Sequence, residues 1–226
     1  NKMILEKLKL IHRKMVDLIF PKRCAGCKTP ETYLCQNCGD KIDRADSTET
    51  TKGVLALFNY HDRVAKKVIW QLKYRGRKEL AEILGKIAYT HLLEDLAERQ
   101  MWGDHLKKIL VIPVPLSHER ERGRGYNQSA LLASTFSACD TDNLELLEGV
   151  LVKIKNTKAQ VLLKNREQRL KNLRGAFKVT GREKIKNRDI ILVDDVVTTG
   201  ATLGECKKVL KQAGARSVLA LAIAAG

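Results

Sequence analysis

The sequence Ile190-Ile-Leu-Val-Asp-Asp-Val-Val-Thr-Thr-Gly-Ala-Thr202 contains the strongest indication of fold in this chain. Its aliphatic start predicts a buried strand, and Asp194 and Asp195 follow at the carboxyl end, where open α/β sheets bind ligands. The turn containing Gly200 then opens a helix, whose free N–H groups and dipole favour a phosphate. Because adjacent carboxylates would repel a bare phosphate, we expect them to hold sugar hydroxyls or a bridging Mg²⁺. The alternative is an ordinary strand, turn and helix with threonine caps.

The segments around this stretch predict strands that alternate with helices, which is the pattern of a parallel sheet. The predicted strands cover residues 54–60, 109–112, 190–193 and 218–223, and the predicted helices cover 63–72, 79–96, 128–136 and 203–212. A chain of 226 residues can bury one substantial core and carry a small appendage. We therefore expect an α/β domain over residues 51–226 and an N-terminal module over residues 1–50, joined by a polar linker over 40–52.

The N-terminal module contains two Cys-x-x-Cys pairs, Cys24 with Cys27 and Cys35 with Cys38. This spacing lets two thiolates of one pair turn toward a single ion, and two pairs complete tetrahedral coordination. A redox dithiol would need only one pair. The sequence therefore predicts a four-cysteine zinc finger, whose closed coordination shell makes the zinc structural.

The chain is strongly basic, with 42 Lys and Arg residues against 26 Asp and Glu and a formal net charge of +16. Such a surplus favours phosphates, nucleic acid or anionic lipid as partners, although a solvated basic face is the alternative. The sequence contains no apolar run of membrane-spanning length and no pattern typical of a secretory signal, so the expected location is the cytoplasm. A basic amphipathic helix over residues 4–19 would permit peripheral binding at the inner face of the membrane, although packing within the protein is favoured.

Two shorter basic segments are candidates for phosphate or base contacts. Lys73 and Arg75 belong to a flexible cationic turn suited to pyrophosphate, with a solvated turn as the alternative. Farther along, two glycines predict a tight loop over residues 120–128, in which Arg122 and Arg124 are cationic. The side chains of Tyr126, Asn127 and Gln128 offer stacking and hydrogen bonds to a base or to single-stranded DNA. The alternative role for Asn127 is to cap the following helix.

A third basic segment covers residues 157–177 and includes Arg166 and Arg169. Its polar, cationic composition suits a loop that could close over a bound ligand and exclude water, and the segment resembles the mobile loop of phosphoribosyltransferases. A solvated helix is the alternative interpretation. We therefore treat these two arginines as mobile-loop or DNA-contact candidates.

The acidic pair and the following turn resemble the phosphoribosyl-pyrophosphate motif of type I phosphoribosyltransferases. In that motif two acidic residues meet the ribose hydroxyls, and a Thr-Thr-Gly-x-Thr loop grips the 5′-phosphate. The resemblance implies a type I phosphoribosyltransferase-like fold in which Asp194 and Asp195 bind ribose and are the catalytic residues, with Mg²⁺ accompanying the ligand. The further residues assigned to phosphoribosyl pyrophosphate are Thr198, Thr199, Gly200, Ala201, Thr202, Lys73, Tyr74 and Arg75.

The other motifs narrow the resemblance to the bacterial competence protein F family. They are Lys73-Tyr-Arg-Gly-Arg77, Pro113-Val-Pro115, Arg122-Gly-Arg-Gly-Tyr-Asn-Gln128 and the segment 160–177, all preceded by the four-cysteine knuckle. The resemblance extends from about residue 20 to residue 224. Members of this family act in natural transformation, and many bacteria that are not transformable carry relatives.

Three functions compete at this stage. The resemblance favours a competence factor that binds phosphoribosyl pyrophosphate and incoming single-stranded DNA and works beside a helicase-like competence DNA translocase and other DNA-uptake proteins. The second is a nucleotide-salvage phosphoribosyltransferase, which would release pyrophosphate from the anomeric carbon, although no hood segment identifies an acceptor. The third is a fold without ligand binding whose zinc module docks a partner, and the intact acidic pair and phosphate turn count against it.

Overall fold

The structure is a computed structural model that describes residues 21–45, 54–98, 108–155 and 172–226. It divides into two compact units, Asn1–Ile42 and Asp43–Gly226. The expected helix over residues 4–19 and the expected domain boundary after residue 50 lie outside the described residues, as do Arg166 and Arg169.

The first unit is organised around the cysteine pairs. Its backbone turns back on itself through a bridge between Arg23 and Pro30, and the Cys24 N–H donates to the Thr29 carbonyl at 2.9 Å. A short helix, α1 (Gln36–Asp40), begins directly after Cys35. These tight turns bring two segments that are separated in sequence to the same point.

The second unit contains a five-stranded parallel sheet flanked by helices, which confirms the predicted α/β fold. In chain order its strands are β1 (Val54–Asn59), β2 (Ile109–Pro113), β3 (Leu144–Leu146), β6 (Asp189–Val197) and β7 (Ser217–Ala225). A separate antiparallel pair consists of β4 (Leu151–Lys153) and β5 (Phe177–Val179). The order across the parallel sheet is β1-β7-β6-β2-β3, so β6 is its central strand.

The helices of this unit connect the strands, as a parallel sheet requires. They are α2 (Arg63–Tyr74), α3 (Glu79–Glu98), α4 (His118–Arg124), α5 (Gln128–Ala138), α6 (Arg182–Ile185) and α7 (Ala201–Gln212). The Asp62 side chain caps α2 by accepting hydrogen bonds from the N–H groups of Val64 and Ala65. Among the helices in the described part of the chain, none is long and apolar enough to cross a membrane.

Strand β6 is longer than the sequence predicts, and the difference changes the position of the acidic pair. The predicted strand ends at Val193, whereas β6 continues to Val197 because β7 pairs with it along this whole stretch. Strand β2, on the other side, ends its ladder at the pairing of Pro113 with Val193. The acidic pair therefore lies beyond the ladder with β2, in the part of β6 that is paired with β7.

Two segments that were interpreted as loop or linker have regular structure. The expected glycine loop after Arg120 is helix α4, which ends where Gly125 takes a φ of +80°. Acidic residues in its first turn and arginines in its last turn complement the helix dipole, which favours this helix despite the internal glycine. Residues 43–45, from the expected linker, pair with β1, since the Asn59 N–H donates to the Asp43 carbonyl at 2.8 Å.

We predict that Gly85→Ala separates α3 from α5 and lowers the free energy of unfolding by about 1–3 kcal/mol. A Cβ at Gly85 would lie 2.8 Å from the Thr135 Cβ and 3.2 Å from the Phe136 nitrogen. This clash should outweigh the gain of about 1 kcal/mol in helix propensity. Urea denaturation followed by circular dichroism measures the effect.

The matched control is Gly204→Ala in α7, where an added Cβ meets no atom within 4 Å. This variant should raise the free energy of unfolding by about 0.5–1 kcal/mol, because only the propensity term remains. Equal shifts of the same sign in both variants would contradict the close packing of α3 on α5.

Candidate functional site

The acidic pair lies near the C-terminal end of the central strand β6. Asp194 and Asp195 are 9% and 3% exposed, although carboxylates are rarely buried unless they are paired. Beside them the β2 chain has turned away after Pro113, and the Val114 N–H makes a last bond to the Val193 carbonyl at 2.9 Å. The fold therefore places two buried carboxyl groups near the carboxyl ends of the strands, where ligands of α/β proteins bind.

Asp194 is held from inside the protein. The hydroxyl of Ser129, in the first turn of α5, donates to its Oδ1 at 2.9 Å, and the Asp195 N–H donates to the same atom at 2.9 Å. Burial and then repulsion from Asp195 raise the pKa of Asp194 to about 7, and the attraction of Lys73 only partly opposes this shift. Asp194 can therefore gain or lose a proton near neutral pH.

Asp195 is held by a lysine from another helix. The Nζ of Lys73, in the last turn of α2, lies 2.8 Å from the Asp195 Oδ1. Burial alone would lower the pKa of Lys73, but the attraction of and hydrogen bond to Asp195, together with the attraction of Asp194 and Tyr60, raise it overall. Lys73 therefore remains charged and is the direct counter-charge of the pair.

The turn after β6 provides the N-terminus of a helix. Gly200 takes a φ of +70°, in the left-handed region that favours glycine, and α7 begins at Ala201. The predicted phosphate-loop residues Thr198, Thr199, Gly200, Ala201 and Thr202 therefore follow the acidic pair into the start of α7. The first free N–H groups of this 12-residue helix suit an anion.

Two buried polar atoms, one in β6 and one in the turn after it, lack hydrogen-bond partners. Among the described residues, three buried side-chain nitrogen or oxygen atoms have no hydrogen-bond partner, and two of them are the Asp195 Oδ2 and the Thr199 Oγ1. Buried polar atoms without a partner are costly, so native proteins rarely contain them. The Asp195 Oδ2 is free to accept a hydrogen bond from a polar group, and the Thr199 hydroxyl is free to donate one.

Two further cations, Lys153 and Arg120, belong to the surroundings of the acidic pair, and neither was among the predicted site residues. Burial lowers the pKa of Lys153, and repulsion from Arg120 adds to this effect, while Asp194 attracts the lysine. Sequence reasoning missed both Lys153 and Ser129 as site residues. A serine beside a helix cap and a lysine in a short strand carry no local signal, because only the tertiary fold brings them to Asp194.

A cavity of about 280 Å³ adjoins the ion pair. It is lined by Lys73, Tyr74, Gly76, Arg120, Gly123, Arg124 and Tyr126. Three of these lining residues are cationic and none is acidic. Since Lys73 also contacts Asp195, the cavity and the acidic pair share a wall.

Some of the other residues that were predicted to contact phosphate or DNA lie near the protein surface. Arg75 lies over the ring of Trp70, and Arg124 lies over the ring of Tyr74. Thus Lys73 reaches the acidic pair, whereas the two residues that follow it take part in surface contacts. Arg122, the remaining predicted arginine of this region, lies in α4 and is exposed.

Three residues proposed for base contacts are engaged within the protein. Asn127 caps α5 by accepting from the Ser129 N–H at 3.0 Å, which is the alternative role considered for it. Gln128 is only 3% exposed and accepts a hydrogen bond from Arg124. The Tyr126 hydroxyl donates to the Leu72 carbonyl. These contacts fix the start of α5 and thereby the position of Ser129.

The four predicted metal ligands converge in the first unit. The Sγ atoms of Cys24, Cys27, Cys35 and Cys38 all lie within 4.8 Å of one another. The Cys35 Sγ is 3.6 Å from the Sγ atoms of Cys24 and Cys27. Four thiolates bound at about 2.3 Å to one zinc ion would be about 3.8 Å apart. The cluster can therefore hold a metal ion, and its donor set fits tetrahedral zinc.

The backbone and a neighbouring hydroxyl support thiolates in this cluster. The Cys35 N–H donates to the Cys24 Sγ at 3.4 Å. A side-chain hydrogen bond from Thr29 lowers the pKa of Cys27 to about 6. Metals bind the thiolate form, which these contacts favour at Cys24 and Cys27. The neighbouring Cys27 and Cys35, in contrast, raise the pKa of Cys38 to about 12.

Comparison with known proteins gives consistent results. Residues 133–226 match the model of the phosphoribosyl transferase domain. The chain is 29% identical to Competence protein F of Haemophilus influenzae over 199 residues, which cover 86% of this chain and 81% of that protein. It is 31% identical to the DNA utilization protein YhgH of Escherichia coli O157:H7, covering 86% and 80%. Competence protein ComFC of Bacillus subtilis is 26% identical, with 84% and 72% covered.

We predict that Cys24→Ser lowers the zinc content from about one ion per chain and lowers the melting temperature. Cys24 is fully buried within the cluster, and a serine hydroxyl is a poor replacement for a thiolate ligand. Mass spectrometry under native conditions and elemental analysis measure the metal. Cys139→Ser is the control, because Cys139 is not one of the four clustered cysteines and its thiol donates to the Thr135 carbonyl at 3.3 Å, where a serine can donate too. Unchanged zinc in Cys24→Ser would show that the cluster is not a zinc site.

We also predict that Asp194→Asn changes how stability depends on pH. The pKa of Asp194 is about 7 in the folded protein and 3.8 for the free side chain. The folded state thus keeps a proton that the unfolded state releases, and wild-type stability is lost as pH rises from about 4 to 7. Asparagine removes this loss, so the variant should gain stability relative to wild type over that range.

Urea denaturation at several pH values measures this difference. Asp142→Asn removes an exposed carboxyl group and is the control. The interpretation fails if the stability of Asp194→Asn, relative to wild type, does not change between about pH 4 and pH 8.

Proposed function

Because this chain belongs to the competence protein F family, whose members are named for competence and for DNA utilisation, we propose that it is a DNA-uptake factor that binds phosphoribosyl pyrophosphate. The proposed place of action is the cytoplasm, where the protein would bind incoming single-stranded DNA. A helicase-like competence DNA translocase and other DNA-uptake proteins are its proposed partners. Zinc in the cysteine cluster would have a structural role, since four thiolates leave no open position.

The observation that supports the ligand is the pair of unpartnered atoms beside the helix N-terminus. Phosphoribosyl pyrophosphate carries a 5′-phosphate, two ribose hydroxyls and a pyrophosphate. The phosphate would accept hydrogen bonds from the N–H groups at the start of α7 and from the Thr199 hydroxyl. A ribose hydroxyl would donate to the Asp195 Oδ2. One ligand would thus satisfy both buried atoms.

The cations near the pair are suited to the pyrophosphate end. Lys73 and Arg120 line the adjoining cavity, and Lys153 lies close enough to be influenced by Asp194. Asp195 would also hold Mg²⁺ through its Oδ1, a hard oxygen donor that now contacts Lys73. When bound, Mg²⁺ neutralises phosphate charge. Lys73 would then exchange its contact with Asp195 for contacts to the ligand.

Phosphoribosyl transfer is the second candidate function, and the buried acidic pair favours it. Release of pyrophosphate from the anomeric carbon develops positive charge on the ribose, and nearby carboxylates stabilise such charge. Asp194 and Asp195 would be the catalytic residues in this case, acting by position and charge without a dedicated nucleophile. An acceptor-dependent release of pyrophosphate would distinguish nucleotide salvage from ligand binding alone.

Calorimetric titration of the zinc-loaded protein with phosphoribosyl pyrophosphate and Mg²⁺ tests the proposal. We expect binding by the wild type and at least a 100-fold loss in the double variant Asp194→Asn, Asp195→Asn, because a hydrogen bond to a charged group contributes about 1.5–3 kcal/mol and two are lost.

The double variant Glu82→Gln, Glu183→Gln removes the same formal charge from exposed positions and should bind like wild type. Absence of binding by the wild type would contradict the proposed ligand and leave partner docking as the function of this scaffold. Equal weakening by both double variants would show that the acidic pair is not the binding site.

A further inference from the structure

Two aromatic side chains near the C-terminal end of α2 lie on the protein surface. Trp70 and Tyr74 are 46% and 63% exposed, whereas large aromatic side chains are usually mostly buried. They are one helical turn apart and share a face, with ring centroids 6.2 Å apart and planes tilted by 48°. The residues through which α2 packs on the core are Ala65, Val68, Ile69 and Leu72, each at most 1% exposed. The two rings therefore lie outside the packing face of the helix.

Cationic side chains lie over these rings. The Arg75 Cζ is 5.0 Å from the Trp70 ring centroid, and the Arg124 Cζ is 5.1 Å from the Tyr74 ring centroid. Cation–π attraction holds each exposed ring in a defined orientation, which lowers the entropy lost when a ligand binds. The result is a surface on which planar aromatic groups and positive charges alternate.

This surface continues into the cationic cavity described above. Tyr74 and Arg124 line that cavity, and so does Lys73, whose Nζ contacts Asp195. Arg120 adds a further positive charge, and no acidic residue is among those that line the cavity. The exposed rings are therefore joined by one cationic surface to the acidic pair.

We propose that Trp70 and Tyr74 form a platform on which bases of single-stranded DNA stack, while Arg75 and Arg124 contact the adjacent phosphates. This inference rests on the proposed function, because it names the site through which the protein would bind DNA. It assigns DNA contacts to Tyr74 and Arg75, which the sequence had associated with phosphoribosyl pyrophosphate. Trp70 had no assigned role.

The chemistry of the surface favours a single strand over other polyanions. Every base of a single strand has an exposed π-face, and stacking on aromatic side chains does not depend on the base identity. In a duplex those faces are covered by neighbouring base pairs, so the rings would find no partner. An acidic peptide would meet the arginines but would offer few planar groups to the rings.

The platform also places DNA beside the proposed phosphoribosyl site. Lys73 and Tyr74 are consecutive in α2, yet Lys73 contacts the acidic pair and Tyr74 is on the surface. A strand that follows the cationic surface from Tyr74 would pass the cavity wall formed by Lys73. The phosphoribosyl ligand and the DNA would then contact neighbouring residues of one helix.

The test uses the fluorescence of Trp70. The chain contains two tryptophans, so Trp102→Phe leaves Trp70 as the only one. Titration of this zinc-loaded variant with a thymidine 20-mer at low salt should quench the Trp70 emission, because a base stacks on the indole. An abasic oligomer of equal length and charge should bind more weakly and cause little quenching.

Affinity measurements by anisotropy complete the test. In the wild-type background, Trp70→Leu with Tyr74→Leu keeps apolar side chains but removes both rings, and we expect binding to weaken by roughly 10- to 100-fold. Trp70→Phe with Tyr74→Phe keeps both rings and should bind within about threefold of wild type. Melting temperatures verify that the variants are folded.

The outcomes separate the platform from the proposed function. Binding that is salt-sensitive, with quenching and a loss in the leucine variant, supports both. Salt-sensitive binding with equal affinity in the leucine variant, or equal quenching by the abasic oligomer, overturns the platform and leaves DNA binding in place. Absence of binding by the wild type at low salt overturns DNA binding itself and the platform with it.

Discussion

Two adjacent carboxyl groups, those of Asp194 and Asp195, are buried side by side in the central strand β6 with one directly paired lysine. Such an arrangement is unstable in isolation, because each carboxylate loses solvation and repels the other. The surrounding structure compensates for it. Helix α2 ends where Lys73 can reach Asp195, and the cap of α5 places the Ser129 hydroxyl on Asp194. Both helices thus bring a polar partner to the same acidic pair.

The sequence was sufficient to predict those features that are specified by a few neighbouring residues. The aliphatic run of β6, the turn at Gly200 and the spacing of the four cysteines each carry their meaning within a few residues, and the fold and the cysteine cluster were predicted correctly. The ion pair of Lys73 with Asp195 could not be derived in this way, because it joins elements that are distant in sequence. Helix α4 was missed because its glycine and arginines also suit a loop, and only the charge order along it favours a helix.

The described part of the first unit, residues 21–42, buries few side chains. They include Tyr33, Leu34 and Ile42, and chains of about 40 residues rarely fold without a metal, disulfides or a partner. A metal ion held by four thiolates would supply that missing stabilisation. The cysteine cluster is therefore better understood as the core of this unit than as an addition to it.

The position of β7 has a consequence for how the chain acquires its structure during synthesis. This strand follows all the others in sequence, yet it lies between β1 and β6. Strand β1, although made early, must wait for the last strand before it can join the sheet, because Val54 pairs with Ala220. Such distant pairing slows folding and leaves an early strand edge exposed to aggregation. Nascent chains of this protein should accordingly depend on chaperones that bind extended, apolar segments.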